Sequence, residues 1–392
     1  MRFRKPHFFQ RSLHDLYANI ASRCLPPVQE VDAQEIFGAK AYVVQNAGEA
    51  ELRHPLEEAM YGSAFASSRI SWPEITGYQL PNVHVVGDQG CVYSSGRRLA
   101  QSSAVWSSSS RKSRRPITLL ARAESGFLLH LTGINHENHG HFLLDHLPRY
   151  FAARNRENIG EAKILLAPGH LKWQAKYLEL LSVDRSRLIE GHPGTMIANE
   201  LHYVPLLNEN LKYGAPQTFR DMVAEMQTSI AKQGLYDSSN QKKEGPRALW
   251  ISRQDAPNRR LKNESELIEK ARSIFGSVEV MLLSRVPFEE QVQMIMNSEF
   301  VIGAQGQGIA SSVFSNGRKV IILEQGTMRC EEGGWAAIFR DMAEFSGNHA
   351  LRLYSGCPLI SKNSDWQFPV EHFAAELTRL KQICNENPFL KC

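Results

Sequence analysis

The sequence predicts an α/β protein whose C-terminal half is a doubly wound parallel sheet, and three observations carry that expectation. Beyond Arg247, short β-branched runs alternate with amphipathic helical stretches, and a β-α-β-α order demands a parallel sheet with right-handed crossovers. The chain has 392 residues, more than one hydrophobic core usually serves, so two domains are expected. Its apolar share of 42% and charged share of 22% are ordinary for a globular protein and exclude a disordered or fibrous one.

Residues 1–35 read as a preamble with one amphipathic helix at 12–23, stopped by Pro26 and Pro27. From Lys40 the texture turns strand-rich, with candidates at 41–45, 84–86, 91–93, 117–122 and 127–132. Strands at 164–167 and 201–205 then alternate with a helix at 173–181, so the first half is mixed with a parallel element near its end. A helix at 218–234 places Phe219, Met222, Val223, Met226 and Ile230 on one face and stops at Gly234. The polar stretch 236–246 is the best linker or surface loop.

The regular part begins with a strand at 248–252 and a helix at 264–275, whose Leu267, Ile268, Ala271, Ile274 and Phe275 recur at helical spacing. Asn263 and Glu266 fit a capping box at its start. A strand at 278–283 precedes a helix at 288–297, with Pro287 at its opening. A strand at 300–303, a glycine loop, a short helix through 311–314 and a strand at 319–324 follow. A helix at 335–345, a strand at 351–354 and a helix at 370–383 complete the chain. The expected division is a preamble 1–35, a domain 36–210, a second domain 211–369 and a C-terminal helix 370–392.

A formal charge of +4 is too small for this length to imply nucleic acid. The basic residues are nonetheless uneven: Arg97 to Arg115 holds six and no acid, and Arg2, Arg4, Lys5 and Arg11 precede the first acid, Asp15. Such runs are solvated faces or face anionic lipid or an acidic acceptor. The six cysteines show no CxxC or other metal spacing; they read as reduced thiols of a cytoplasmic protein, with disulfides formally open. The start MRFRK runs into no apolar leader segment, and no apolar stretch is long enough to span a bilayer. Any membrane contact is expected to be peripheral.

In doubly wound sheets ligands bind at the carboxyl ends of the strands. Three segments of the C-terminal half belong at that edge. The first, 251–264, supplies Arg253, Arg259, Arg260 and Lys262 ahead of a helix N-terminus, a suitable anion site or a solvated basic loop. The second, VIGAQGQGIASS, carries Gly303, Gly306 and Gly308, which let a ligand approach the backbone or simply serve a tight turn. In the third, Glu324 ends a strand where an acidic side chain can bond a ribose hydroxyl. The last two segments imitate a dinucleotide fingerprint and raise a nicotinamide-dependent oxidoreductase as an alternative. The interval from Gly308 to Lys319 is too short for that motif's crossover helix.

In the first half, HENHGHFLLDHLPRYF (136–151) is the most unusual string. His141 and Asp145 are four apart and share one face of a helix starting near Gly140. A carboxylate beside an imidazole holds its tautomer and raises its basicity, which suits a general base. A structural polar cap is the plainer reading. His136, His139 and His141 with Glu137 are an alternative metal set, although the spacing matches no standard zinc pattern. Pro148 kinks this helix or opens a second one.

Taken together, NHGHFLLDHLPR (138–149), ISRQDAPNRRLKNESEL (251–267) and VIGAQGQGIASSVF (301–314) resemble glycosyltransferase family 61. LPNVHVVGDQGCVYSSGRRLAQSS in the N-terminal half looks like the bacterial, capsular-polysaccharide members. The resemblance covers roughly residues 80–326, in the family's motif order. The pattern N-Y-x-H-x-L-x-D-x-L-P-R is met at Asn138, His141, Leu143, Asp145, Leu147, Pro148 and Arg149, with His139 in place of tyrosine. The pattern I-S-R…R-x-x-x-N-E is met at Ile251, Ser252, Arg253, approximately at Arg259 and Arg260, and at Asn263 and Glu264. In the H-G-A-G-L-x-N motif, Gln305, Gln307 and Ser311 replace histidine, alanine and asparagine; glutamine keeps an N–H donor and loses the capacity for charge.

The resemblance implies a GT-B architecture of two Rossmann-like domains facing across a cleft, acceptor side first and nucleotide-sugar side second, with inversion and no obligatory metal. It implies His141 or Asp145 as the base. It implies a donor site from Arg253, Arg259, Arg260, Asn263, Glu264, Gln305, Gly306, Gln307, Gly308, Ser311 and Glu324. The chain has no Asp-x-Asp, so no cofactor or metal is expected and protein donors must neutralise the leaving diphosphate. The expected partners are a nucleotide-sugar and a glycan or lipid-linked acceptor. The altered glycine motif keeps a non-catalytic glycan- or nucleotide-binding relative as the other alternative.

Overall fold

A computed structural model describes residues 29–86, 90–99, 122–133, 135–156, 159–167, 169, 171–191, 195–206, 216–234, 248–315, 317–327, 337–357 and 364–387. The expected helix at 12–23, the basic stretches 1–14 and 100–115, the linker 236–246, and Cys24, Cys330 and Cys392 lie outside the described residues. The chain divides into two compact units, Met1–Gly48 with Trp72–Thr218 and Glu49–Ser71 with Phe219–Cys392.

In the first unit, strand Ile75–Val86 is the spine. It pairs antiparallel with Lys40–Gln45, Cys91–Ser94 and Thr195–Tyr203. Its Tyr78, Leu80, Val83 and Val85 are buried with Leu128, Ala198 and Leu201 in one core. Thr195–Tyr203 then pairs in parallel with Arg122–His130, which pairs in parallel with Lys163–Leu166, and that strand with Leu188–Glu190. The first unit is therefore mixed, with Thr195–Tyr203 paired antiparallel on one side and parallel on the other. Helix Leu171–Leu180 follows strand Lys163–Leu166 as the spacing predicts.

The second unit holds a five-stranded parallel sheet among the described residues, in the order Val278–Met281, Ala248–Ile251, Phe300–Ala304, Lys319–Glu324, His349–Tyr354. Numbered along this unit, that order is 2-1-3-4-5, a doubly wound arrangement that reverses direction between its first and third strands. Ala248–Ile251, Phe300–Ala304 and Lys319–Glu324 are buried along their whole length, as parallel strands covered on both faces must be. Helix Glu264–Phe275 and helix Val370–Glu386 pack on one another, and Leu267, Ile268, Ala271, Phe373, Leu377 and Leu380 join Trp250, Ile302 and Leu351 in one core. The expected separate C-terminal helix is thus part of this unit.

The expected 36–210 domain is interrupted. Residues 49–71 leave it, form a hairpin of Gly48–Arg53 and Ser67–Trp72 around helix Pro55–Tyr61, and fold into the second unit. Leu56 and Met60 enter that unit's core, and Glu57 supplies the polar anchor. Its carboxylate accepts the Arg352 main-chain N–H at 3.2 Å and both Nε and Nη2 of Arg352 at 2.7 and 3.0 Å. Arg340 Nη1 reaches the same carboxylate at 3.2 Å. Arg352 lies on the edge strand of the sheet, so the excursion satisfies a backbone donor that an edge otherwise leaves open. Burial alone would raise the Glu57 carboxyl, but the hydrogen bonds and charge of Arg352, with Arg340, hold it below its ordinary value.

The proposed capping box at the start of Glu264–Phe275 does not form. Asn263 makes no side-chain cap bond; its amide brackets the Phe368 main chain instead, Nδ2 to the carbonyl at 2.8 Å and Oδ1 from the N–H at 3.2 Å. The partner lies 105 residues away, so a tertiary strap outcompetes the local cap.

Candidate functional site

The reversal of strand order in the second unit sets the carboxyl ends of Ala248–Ile251 and Phe300–Ala304 side by side with connections that diverge, which opens a crevice at that edge. Arg253 stands two residues beyond the first strand and Gly306 two beyond the other. The structure brings them into contact. A Cβ built on Gly306 would overlap the Arg253 guanidinium, so the guanidinium lies on the glycine backbone, in the place where any side chain would displace it. Gly303 and Gly308 are likewise tight, each within about van der Waals distance of Ile251 once a Cβ is added.

Arg253 is buried and sparsely satisfied. Its Nε is buried without a partner, and Nη2 makes one long bond, 3.3 Å to the Asn258 carbonyl. Burial, then the neighbouring charge of Arg259, lowers its pKa. Arg259 sits at φ +57° and also carries a buried Nε without a partner. Two guanidinium groups of one sign at the carboxyl edge of a doubly wound sheet, short of acceptors, are chemically suited to an anion. The strand–helix junction below them is fixed by Glu264, which accepts from Trp250 Nε1 at 2.9 Å, Ser252 Oγ at 2.8 Å and the Arg253 N–H at 3.3 Å.

Other predicted donor residues are placed differently. Arg260 turns away and forms a two-pronged pair with Asp365, Nε at 3.0 Å and Nη2 at 2.8 Å, while its main chain joins Asp365 and Trp366. Asn263 is committed to Phe368. Gln305 donates its main-chain N–H to the Leu323 carbonyl at 2.8 Å. Gln307, Gly308 and buried Ser311 belong to a 3-10 helix, Gln307–Phe314, that opens at Gly306; its first N–H groups are not consumed by its own ladder. Glu324 is 2% exposed, with Oε1 buried and unpartnered. Its charged neighbours are Arg352, Glu57, Arg340 and Asp341, and burial raises its pKa to about 8. The structure thus sets Arg253 against Gly306 with the charge of Arg259 near it, and gives Arg260, Asn263 and Glu324 partners or neighbours of their own.

In the first unit the histidine string follows strand Arg122–His130. Asn138 caps the turn, its Oδ1 accepting the His141 N–H at 3.2 Å. The segment runs in three pieces, a turn His139–His141, a π-helical turn Phe142–His146 and helix Leu147–Ala153, so of the two expectations for Pro148 the structure shows it opening a second helix. Pro148 explains the break, because it offers no N–H to Leu144 and its ring crowds that carbonyl; the Leu147 N–H reaches Phe142 instead. Insertions of this kind cluster at functional positions. His141 Nδ1 lies 2.6 Å from Asp145 Oδ2, and Asp145 Oδ1 is buried without a partner. With the proton on Nδ1 donated to Asp145, the ring carries its lone pair on Nε2.

Arg149, buried to 1%, fastens this segment to the strand ends. Nε donates to the Val204 carbonyl at 2.6 Å and Nη1 to the Thr132 carbonyl at 3.0 Å; Nη1 and Nη2 also face His146 Nδ1 and His130 Nδ1, each at 3.3 Å. Burial, then the Arg149 charge, pushes His130 down to about 3, so its ring accepts as a neutral imidazole. The alternative metal set is not assembled. His136 faces the Gly133 carbonyl, His139 the Tyr177 hydroxyl and His141 Asp145. Among the described residues no group of three or more His, Cys, Asp or Glu is placed to hold a metal ion.

Sequence reasoning missed the Glu57–Arg352–Arg340 cluster and an aromatic cluster beside His141. In the latter, Trp173 and Tyr177 of helix Leu171–Leu180 meet His139 and Phe142. Trp173 and Tyr177 at i, i+4 were the available signal for it.

No helix among the described residues is long and apolar enough to cross a membrane. A comparison with curated proteins found no match. Residues 139–322, just under half of the chain and spanning both His141 and Arg253, match the family model described as Glycosyltransferase 61, which supports the family 61 resemblance and a glycosyltransferase activity.

Proposed function

We propose that the chain is an inverting, metal-independent glycosyltransferase of GT-B organisation that moves a sugar from a nucleotide donor to a glycan or lipid-linked hydroxyl, in bacterial surface polysaccharide synthesis. The observation that carries the donor half is the buried, under-bonded Arg253 guanidinium laid on Gly306 at the reversal of strand order. There the donor diphosphate takes up the charge of Arg253 and Arg259 and the opening N–H groups of the turn at Gly306–Gly308. These groups meet the negative charge that grows on the departing diphosphate. Arg260 and Glu324 are left out of this assignment because each has partners or burial of its own.

The acceptor half rests on His141 and Asp145. The acceptor hydroxyl attacks the anomeric carbon from the face opposite the diphosphate; Nε2 of His141 takes the hydroxyl proton and Asp145 stabilises the imidazolium. The bond to the diphosphate breaks as the new glycosidic bond forms, and the configuration inverts. The retained His–Asp pair and sparsely bonded Arg253 favour an enzyme over a binding-only relative. The burial of Glu324 among charges of its own unit disfavours a nicotinamide site.

The test is a thermal-shift screen with nucleoside diphosphates and nucleotide sugars, followed by donor hydrolysis without acceptor and in the presence of a chelator. Stabilisation by nucleoside diphosphates with slow, chelator-resistant hydrolysis is expected. Stabilisation by nicotinamide dinucleotides alone, or binding with no hydrolysis or transfer, overturns the reading.

A further inference from the structure

We propose that Arg149 is a positioning residue for sugar transfer: its guanidinium is the buried counter-charge of Asp145 and holds the His141–Asp145 couple in place. This deepens the transferase reading and rests on it. His141, Asp145 and Arg149 recur every four residues, a spacing that sets successive side chains on one face of a helical segment. The first step of that ladder is a bond, His141 Nδ1 to Asp145 Oδ2 at 2.6 Å. The second is electrostatic. Asp145 is 5% exposed and Arg149 1%, and the Asp145 charge acts on the guanidinium. Asp145 Oδ1 is buried with no hydrogen bond of its own, so the field of Arg149 compensates the carboxylate where no donor does.

The manner of its burial separates Arg149 from the structural arginines of this chain. Arg352 sits directly on the Glu57 carboxylate at 2.7 Å, and Arg340 on Asp341 at 2.7 Å, because a buried guanidinium without an anion is costly. The acceptors bonded to Arg149 are instead two carbonyls, of Val204 and Thr132, and two imidazole nitrogens, of His146 and His130. None is an anion. His130 is turned to accept, since its Nε2 faces the Gly90 carbonyl at 2.8 Å and leaves Nδ1 to Arg149. Burial draws the Arg149 pKa down to about 10, so it remains a cation at neutral pH; Tyr203, Asp145 and Tyr42, in that order, oppose the fall. Phenols are uncharged near neutral pH, which leaves the Asp145 carboxylate as the negative charge that Arg149 faces. The fork therefore ties the π-helical turn to the ends of two parallel strands, while its charge meets the carboxylate that orients His141.

The test uses the full-length protein, first without ligand and then in turnover. A short imidazole–carboxylate bond gives a proton resonance downfield of the amides, and His141→Gln identifies it by removing it. Arg149→Gln keeps a donor and loses the charge. It is expected to shift that resonance or exchange it away, and to lower kcat for sugar transfer about 10- to 100-fold with both KM values within about twofold. Arg149→Lys keeps the charge and loses the fork, and is expected to recover part of kcat. An unmoved resonance or an unchanged kcat in folded Arg149→Gln overturns the inference and leaves Arg149 a structural residue, as does a lysine variant no better than the glutamine one. Should Arg149→Gln fail to fold, the reciprocal experiment decides. In Asp145→Asn the guanidinium signals of Arg149, assigned by their contacts with His130 and His146, are expected to move, and unmoved signals overturn the proposal. Coupling seen in a wild-type protein that transfers no sugar sinks the transferase reading, whereas transfer without coupling sinks the positioning role alone.

Discussion

Arg253→Met isolates what the anion site is for. In the unliganded protein this guanidinium is 8% exposed, its Nε has no partner and its one described bond is 3.3 Å long, while Arg259 repels it. A buried donor left unmade costs about 1–3 kcal/mol, so a methionine of similar length is expected to stabilise the free protein by roughly 1 kcal/mol, or about 2–4 °C for a unit of this size. The same change removes charge-assisted bonds to a diphosphate worth about 1.5–3 kcal/mol, which weakens binding roughly 10- to 150-fold. Opposite signs are therefore expected in one experiment: a higher melting temperature without ligand and a much smaller shift with UDP or another diphosphate. Differential scanning fluorimetry at low salt, with isothermal titration for the affinity, reads both. A variant that melts lower and binds as tightly as the parent refutes the assignment and makes Arg253 a structural residue.

Three further outcomes are expected. His141→Ala lowers sugar transfer by about 10²- to 10⁴-fold and leaves diphosphate binding near wild type, measured by transfer and titration in parallel; loss of diphosphate binding as well counts against a role as base. Glu57→Ala leaves Arg352 buried without its carboxylate and Arg340 with Asp341 alone, and costs about 3–5 kcal/mol in urea unfolding, so a cost below about 1 kcal/mol contradicts the anchoring role. Glu324 is held by burial at about 8 against 4.5 for the free group. Between those values the folded state keeps a proton that the unfolded state releases, so stability falls as pH rises through this window and levels above it. Glu324→Gln flattens that slope, leaving the part owed to Glu344, which burial also raises; an unchanged pH profile of unfolding shows that Glu324 titrates normally.

The parallel sheet was legible because its strands declare themselves. Phe300–Ala304 and Lys319–Glu324 are buried on both faces, so they read as unbroken apolar runs, and helix Glu264–Phe275 shows its inward stripe at helical spacing. Arg253 and Gly306 were legible for a topological reason, since the residues that follow adjacent strands must gather at one edge. His141 and Asp145 were found from an i, i+4 spacing that the structure keeps, although the backbone there is partly π-helical. Distant partners were invisible. Arg260 reads as a phosphate ligand until Asp365 appears 105 residues later, and nothing in HPLEEAMYG marks Glu57 as the mate of an arginine 295 residues away. Local composition reports the face a segment hides, but not the element it hides against.

The excursion of residues 49–71 into the second unit bears on how the chain is made. Folding rates fall as contacting residues lie further apart in sequence, because the loop must be closed before the contact rewards it. Leu56 and Met60 leave the ribosome early, yet the strand they cover, His349–Tyr354, is among the last elements synthesised. Through most of translation these apolar side chains and the Glu57 carboxylate have no native place to go, a situation in which nascent chains are prone to aggregate or recruit chaperones. It also means that a fragment begun at Phe219, however complete its sheet looks, emerges with Arg352 stripped of its carboxylate and Arg340 left with Asp341 alone. Cutting this protein at the seam between its units cannot yield the second one whole.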